Sequence, residues 1–421
     1  MAPKKKGLLL GHLEFPPYAV NAVGDRHFIV AGGGGTAKTG VPNAFEIFQL
    51  RCDRADVEAR SVLKFSDLEC AIMNTAVHEN EKGFMLAAGM EENCRFYNLK
   101  HKVITLEDTE DKHKEDTKDS AVRQRKGKQS QPDSKSKEVE KLVSFQVDPF
   151  KTIQTDFHGD GGFQKVVQIS LDGKILATGG ADGFLRIWKL PELKRLQEIE
   201  AHEGEIEDLS ISPDGNQIVT VSHDKHSSVW NTKDGSKHQE LNWKGKSNSA
   251  YRFRSCRYGV TKGPKPEVTL YTTHIPVTRA GKHPLPCYIT LWDSAKLVAK
   301  KSANVGGEVV SAFEVSDDGL YLGLGTINGS IAIYIAFSLQ CLHQVREAHS
   351  IFITGIEFLP STSTAQAITF GHDVSLLSVS VDKQIKIHQV PTRGSISAVW
   401  VLLGAFIIMC AIFWFLATIG L

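Results

Sequence analysis

Residues 163–190, FQKVVQISLDGKILATGGADGFLRIWKL, and residues 205–232, EIEDLSISPDGNQIVTVSHDKHSSVWNT, are two copies of one pattern. Trp188 and Trp230 lie 42 residues apart, and so do Asp182 and Asp224. A third copy, VVSAFEVSDDGLYLGLGTINGSIAIYIA, begins at Val309, and its Tyr334 follows Trp292 by the same 42 residues. Each copy alternates apolar and polar residues over short runs broken by Asp-Gly turns, which is the signature of consecutive antiparallel strands. A 42-residue period with four strands per unit predicts an all-β fold built of WD-type propeller blades.

Outward from these copies the pattern weakens but continues. YRFRSCRYG, EVTLYTTH and CYITLWDS supply a blade with Trp292 in its third strand and an insert around Pro264–Pro266. ITGIEFLP, SLLSVSVD and QIKIHQV supply the last blade. Ahead of Phe163, HFIVAGGGG with AFEIFQL, and AIMNTAV with GFMLAAG and CRFYNL, supply two more, for seven blades over residues 7–391. The last blade has no fourth strand of its own, because Pro391 and Gly394 follow its third. An open edge is a liability in a sheet, so Gly7–Leu13 is predicted to fill it.

His202, Ser222, Asp224 and Trp230 resemble the buried polar network that such blades carry, with His349 and Asp382 a partial version in the last blade. The blade pattern accounts for these residues without acid–base chemistry. Between Lys100 and Lys141 the chain is charged and polar and lacks Phe, Trp and Tyr. A segment of that composition buries too little apolar area to offset its ordering entropy, so a disordered insert is predicted there.

The formal charge is +1, from 49 basic and 48 acidic residues. That balance argues against a duplex-DNA binder, which normally shows a basic excess. The seven cysteines are scattered without a C-x-x-C pair, which fits reduced thiols rather than a disulfide framework or a zinc site. Residues 395–421 contain no charged side chain, and Ala398–Leu416 is almost wholly apolar. At about 1.5 Å per residue this run exceeds the roughly 30 Å hydrocarbon core of a bilayer. Lys383, Lys386 and Arg393 precede it, so the expectation is a single-pass tail anchor with the propeller in the cytosol.

The strongest local signal is Ala31-Gly32-Gly33-Gly34-Gly35-Thr36-Ala37-Lys38-Thr39-Gly40-Val41-Pro42-Asn43, which leaves one strand and enters another. It is one residue short of a phosphate-binding loop. Ala37 stands where that motif needs glycine, and Pro42 leads into a strand where the motif needs a helix, so nucleotide binding by this segment is not expected. Glycine loses the most backbone freedom on ordering, so an ordered loop of this kind needs something to hold it. Backbone carbonyls of Gly33, Gly34 and Gly35 are oxygen donors suited to a hard cation.

With AGGGGTAKTG in the first blade, a degenerate propeller and a C-terminal apolar run, the chain resembles one family. That family is the endoplasmic-reticulum guanine-nucleotide exchange factor that starts COPII coat assembly, whose animal members are also called prolactin regulatory element-binding protein. The resemblance implies that the loop from Gly33 to Asn43 protrudes, holds a potassium ion and acts on a Ras-like small GTPase at the endoplasmic reticulum membrane. It makes Gly33, Gly34, Gly35, Thr36, Ala37, Lys38, Thr39, Gly40, Val41, Pro42 and Asn43 the exchange loop, with Lys38, Thr39 and Asn43 its polar members. Other coat-assembly proteins are further expected partners, and no covalent chemistry is implied. Two rival readings are a membrane-anchored scaffold without exchange activity, since propellers commonly bind without catalysing, and a transcriptional regulator, suggested by the family's other name and by Pro3-Lys4-Lys5-Lys6.

Overall fold

In the computed structural model the described residues are 7–37, 40–53, 56–66, 68–105, 141–159, 161–243, 245, 251–262, 266–278, 284–391 and 398–419. They form seven four-stranded antiparallel sheets arranged as the blades of a propeller. Blades 1 to 6 each use four consecutive strands. Blade 1 runs from Pro17–Val23 through His27–Gly32 and Ala44–Asp53 to Asp56–Phe65. Blade 3 runs from Gln164–Ile169 to Lys194–Glu200, and blade 4 from Ile206–Ile211 to Lys237–Glu240.

Blade 7 departs from this order as expected. Its strands Ile353–Phe358, Val374–Ser380 and Gln384–Val390 are joined by Leu8–His12, which pairs antiparallel with Gln384–Val390. The pairing matches Leu8 to Ile387 and His12 to Gln384. Leu13 N continues the seam by donating to the Lys383 carbonyl at 2.8 Å.

The apolar residues of the strands sort into seven buried clusters, one between each pair of neighbouring blades. Both faces of every sheet are therefore covered, which is why the inner strands read as near-continuous apolar runs rather than clean alternations. In blade 3, Leu176, Ala177, Leu185 and Ile187 are all fully buried. The cluster between blades 7 and 1 takes Leu10 and Leu13 from the N-terminal segment.

The polar network is present with one change of membership. His202 Nδ1 lies 2.9 Å from Asp224 Oδ2, and His202 Nε2 lies 2.8 Å from Thr220 Oγ1. Trp230 Nε1 donates to the same Thr220 hydroxyl at 2.9 Å. Thr220, not Ser222, is thus the bridging hydroxyl; Ser222 instead donates to the Gly204 and Glu205 carbonyls, and its Oγ accepts from Asp224 N. Cross-strand register separates the two hydroxyls: Thr220 and Ser222 share a face, but only Thr220 lies opposite Ser228, within reach of Trp230. Blade 7 repeats the motif with His349 Nδ1 on Asp382 and His349 Nε2 on Ser378, whose hydroxyl also meets His388 Nε2 at 2.9 Å.

The insert is narrower than the charge pattern suggests. Asn93–Thr105 and Lys141–Gln154 are paired strands of blade 2, with Thr105 opposite Lys141, so Lys100–Thr105 and Lys141 belong to a ribbon. The remaining residues, 106–140, lie outside the described residues. A six-residue helix, Ser363–Ile368, sits between the first two strands of blade 7 and buries Ala365 and Ile368. Thr362 caps it by accepting from Ala365 N.

The chain continues beyond blade 7 into a 22-residue helix, Ala398–Ile419, without an acidic or basic side chain. Its side chains are described only in part. Among the residues described in full, no helix is long and apolar enough to cross a membrane.

Two outcomes test this account of closure. Leu13 is 5% exposed and Leu9 is 45% exposed, so Leu13→Ala is expected to lower unfolding free energy in urea by about 2–4 kcal/mol and Leu9→Ala by less than about 0.5 kcal/mol. Burial lowers the His388 imidazole to about 3, whereas an unfolded histidine titrates near 6.5. Below that value the unfolded chain binds the extra proton, so stability attributable to this group is present above about pH 6.5 and falls as the pH drops from there towards about 3, by up to roughly 1.4 kcal/mol per pH unit. His388→Gln should flatten the acid limb of the stability–pH curve by one proton.

Candidate functional site

The eleven residues Gly33–Asn43 connect the second and third strands of blade 1, leaving at Gly32 and re-entering at Ala44. The equivalent connection in blade 3 is the tight turn Ala181–Gly183. Two features close the base of the loop. Gly33 N donates to the Pro16 carbonyl at 3.1 Å. The Asn43 side chain closes the other side: its Oδ1 accepts from Gly35 N at 2.9 Å, and its Nδ2 donates to the Gly35 carbonyl at 3.0 Å.

The same amide reaches the connection between blades 1 and 2. Asn43 Nδ2 lies 3.2 Å from the Leu68 carbonyl and 3.1 Å from the Glu69 carbonyl. Asn43 is buried, at 9% exposure. A side chain carrying both a donor and an acceptor can satisfy an N–H and several carbonyls at once, which neither Asp nor Leu of similar size can do. Sequence reading placed Asn43 with the polar members of the loop; the structure turns it inward, as the residue that positions the rest.

Gly33 has φ +150°, and a Cβ there would sit 2.2 Å from Asn43 Oδ1. Gly35 has φ +82° and a Cβ on it would meet open space, so its glycine is required by backbone conformation alone. Val41 packs against the apolar cluster between blades 7 and 1. Thr36, Ala37 and Gly40 are exposed. Lys38 and Thr39 lie outside the described residues. The result is a narrow, pinned base beneath an exposed tip.

The base lies in an acidic neighbourhood. Burial, followed by Glu91, Glu69 and Glu92, pushes the Cys70 thiol up to about 11, so it stays protonated at neutral pH. For a cation held by Gly33, Gly34 and Gly35 the donors fit in kind, since the loop offers neutral backbone carbonyl oxygens. The Gly35 carbonyl already accepts from Asn43 and retains one lone pair.

In an up-and-down blade the second-to-third turns and the blade-to-blade connections emerge at one end of the ring, and the remaining turns at the other. The loop's end of the ring therefore carries Phe157, Val277, Ile351 and Phe352, at 50, 38, 42 and 40% exposure. No sequence pattern marked them, because they are spread over three separate connections, with only Ile351 and Phe352 adjacent. The ring axis holds a polar cavity of about 220 Å³. Arg257 bonds Asp208 and Glu314 there, and Arg252 and Arg254 bond Glu207, whereas Glu357 on the cavity wall accepts from Ala22 N at 3.2 Å, and burial beside Glu314 pushes its carboxyl up to about 8. Glu205, Glu207 and His223 converge, but Lys165, Arg252 and Arg254 already neutralise the carboxylates.

The family model described as WD domain, G-beta repeat matches residues 151–189 and 193–231. Each match starts on the outer strand of one blade and ends on the third strand of the next, so the repeat is offset from the blade by one strand. Over 407 residues, 95% of this chain and 94% of the relative, the chain is 38% identical to the mouse guanine nucleotide-exchange factor SEC12. The rat protein of the same name is 39% identical over the same extent. SEC12-like protein 2 of Arabidopsis thaliana is 27% identical over 56% of this chain and 53% of its own length.

If the Asn43 amide holds the loop, Asn43→Ala should leave the unfolding midpoint of the ring within about 2 °C while releasing the tip. Limited trypsin digestion checks this. Cleavage after Lys38 is expected to speed up by about tenfold or more in Asn43→Ala relative to the parent chain, and equal rates would show that the tip is held by something else.

Proposed function

The chain belongs to the SEC12 family of guanine nucleotide-exchange factors, and from that premise we propose that it activates a Ras-like small GTPase of the COPII coat through the loop Gly33–Asn43. The observation that carries this reading is the Asn43 clamp, which gives a glycine-rich projection a fixed base. An exchange factor breaks no covalent bond. It binds best to the GTPase conformation that holds nucleotide loosely, and by linkage the nucleotide weakens the factor as much as the factor weakens the nucleotide.

A loop tip that was free to collapse would lose most of its effect to ordering entropy on contact. A pinned base lets Thr36, Ala37, Lys38, Thr39 and Gly40 enter the switch and magnesium region of the GTPase with less ordering left to do. Phe157, Ile351 and Phe352 on the same end of the ring supply apolar area for the grip. Potassium, held by backbone carbonyls among Gly33, Gly34 and Gly35, would stiffen the segment above the Asn43 clamp. Neutral carbonyls favour a weakly hydrated ion, whereas a smaller ion gives up its water less readily.

The helix Ala398–Ile419 is read as a span of the endoplasmic reticulum membrane. Its 22 residues cover about 33 Å at 1.5 Å per residue, enough for a hydrocarbon core of roughly 30 Å. Lys383, Lys386 and Arg393 ahead of it favour a cytosolic propeller, on the side where the GTPase and other coat-assembly proteins meet the membrane.

The test is nucleotide release from the purified GTPase, followed by fluorescence of a labelled guanine nucleotide. The intact chain should accelerate release, and a chain with Gly33–Asn43 replaced by a tight turn should lose at least about nine-tenths of that acceleration. Retained acceleration would sink the role of the loop, while no acceleration by either chain would leave a scaffold. Exchange should be faster in potassium than in sodium or lithium buffer; equal rates in the three remove the ion from the mechanism.

A further inference from the structure

We propose that the end of the ring opposite the exchange loop, at Leu320 and Phe337 of blade 6, rests directly on the lipid bilayer as a second contact beside the helix. The proposal rests on reading Ala398–Ile419 as a membrane span. Leu320 lies in the turn between the first two strands of blade 6, and Phe337 in the turn between its third and fourth. Both turns therefore emerge at the end away from Gly33–Asn43. Phe337 is 75% exposed and Leu320 is 41% exposed.

The two side chains form a ridge between two hollows. One, of about 290 Å³, has Leu342 on its wall and is closed on the blade 7 side by Val390 and Pro391. The other, of about 220 Å³, lies towards blade 5 and is lined by Tyr271 and Lys300. Pro391 is the residue at which the chain leaves the ring, and Ala398 opens the uncharged helix seven residues later. Seven residues reach at most about 25 Å. The apolar ridge and the entry point of the helix are thus neighbours, and whatever solvent receives the helix is within reach of Phe337.

The lysines around the ridge are already engaged, and Asp373 on the wall of the first hollow adds a carboxylate. Lys300 pairs with Glu267 and Asp293, Lys262 pairs with Asp317, and Lys301 donates to the Ser338 carbonyl at 2.7 Å. A contact of this kind draws on apolar insertion at the interface rather than on attraction to anionic headgroups. It should therefore form on zwitterionic lipid and be insensitive to salt.

The experiment uses the full chain reconstituted in phosphatidylcholine vesicles, with exposed Cys52, Cys341 and Cys410 changed to Ser. An environment-sensitive dye is placed at Phe337→Cys, or at Phe157→Cys on the other end of the ring. Brominated lipid should quench the dye at 337 by about twofold or more and leave the dye at 157 unchanged, at both low and high salt. Equal quenching at the two positions, none at 337, or quenching lost in high salt overturns the proposal. A chain that fails to float with the vesicles defeats the reading of the helix itself, whereas one that floats with an unquenched dye at 337 defeats only the ridge contact.

Discussion

A sheet that is apolar on both faces has no stable place at a surface, and each blade here is such a sheet. It is covered only because a neighbour stands on either side, and around a ring that condition returns to its starting point. The seven apolar clusters are seven statements of the same requirement, and the one between blades 7 and 1 differs in that the chain ends must supply it. Leu8–His12 meets this need by hydrogen bonding to Gln384–Val390 while Leu10 and Leu13 enter the cluster.

The closing segment also fixes the loop Gly33–Asn43. Immediately after Leu13 the chain passes through Glu14, Phe15 and Pro16 before entering blade 1. The Glu14 carbonyl accepts from Lys383 Nζ at 3.1 Å, the Pro17 carbonyl accepts from Thr354 Oγ1 at 2.7 Å, and the Pro16 carbonyl accepts from Gly33 N. A Cβ on Gly32 would fall 2.1 Å from that Pro16 oxygen. The loop base therefore stands on a short bridge whose other side is held by blade 7. Asn43 completes the arrangement by tying the loop forward to the connection into blade 2. Three blades contribute to the footing of one eleven-residue projection.

Much of this architecture is legible in the sequence, because the features that encode it are local. Asp-Gly turns, a tryptophan or tyrosine at a fixed offset and apolar third strands announce the blades, and a missing final strand calls for a substitute. The loop bounds Gly33 and Asn43 follow from the strands that flank them. Outer strands such as Lys194–Glu200 and Lys237–Glu240 are mostly exposed and polar, so they carry little periodic signal. The ribbon at Lys100–Thr105 reads as solvated chain for the same reason, since its pairing with Lys141 and its neighbours is set by register rather than by composition. Thr220 and Ser222 look interchangeable in a one-dimensional pattern and are separated only by which residue faces them across the sheet. The inward turn of Asn43 depends on the carbonyls of Leu68 and Glu69, more than twenty residues away. No short-range rule reveals that.

The strand by which the chain leaves the ring is flanked on both sides. In the order of blade 7, Gln384–Val390 lies between Leu8–His12 and Val374–Ser380. A force applied at Pro391 runs along that strand and loads two ladders in shear, so that many rungs resist together. An edge strand in the same place would be peeled away one rung at a time. The N-terminal segment thus does mechanical service as well as closing the circle: it turns the strand by which the chain leaves the ring from an edge into an interior seam.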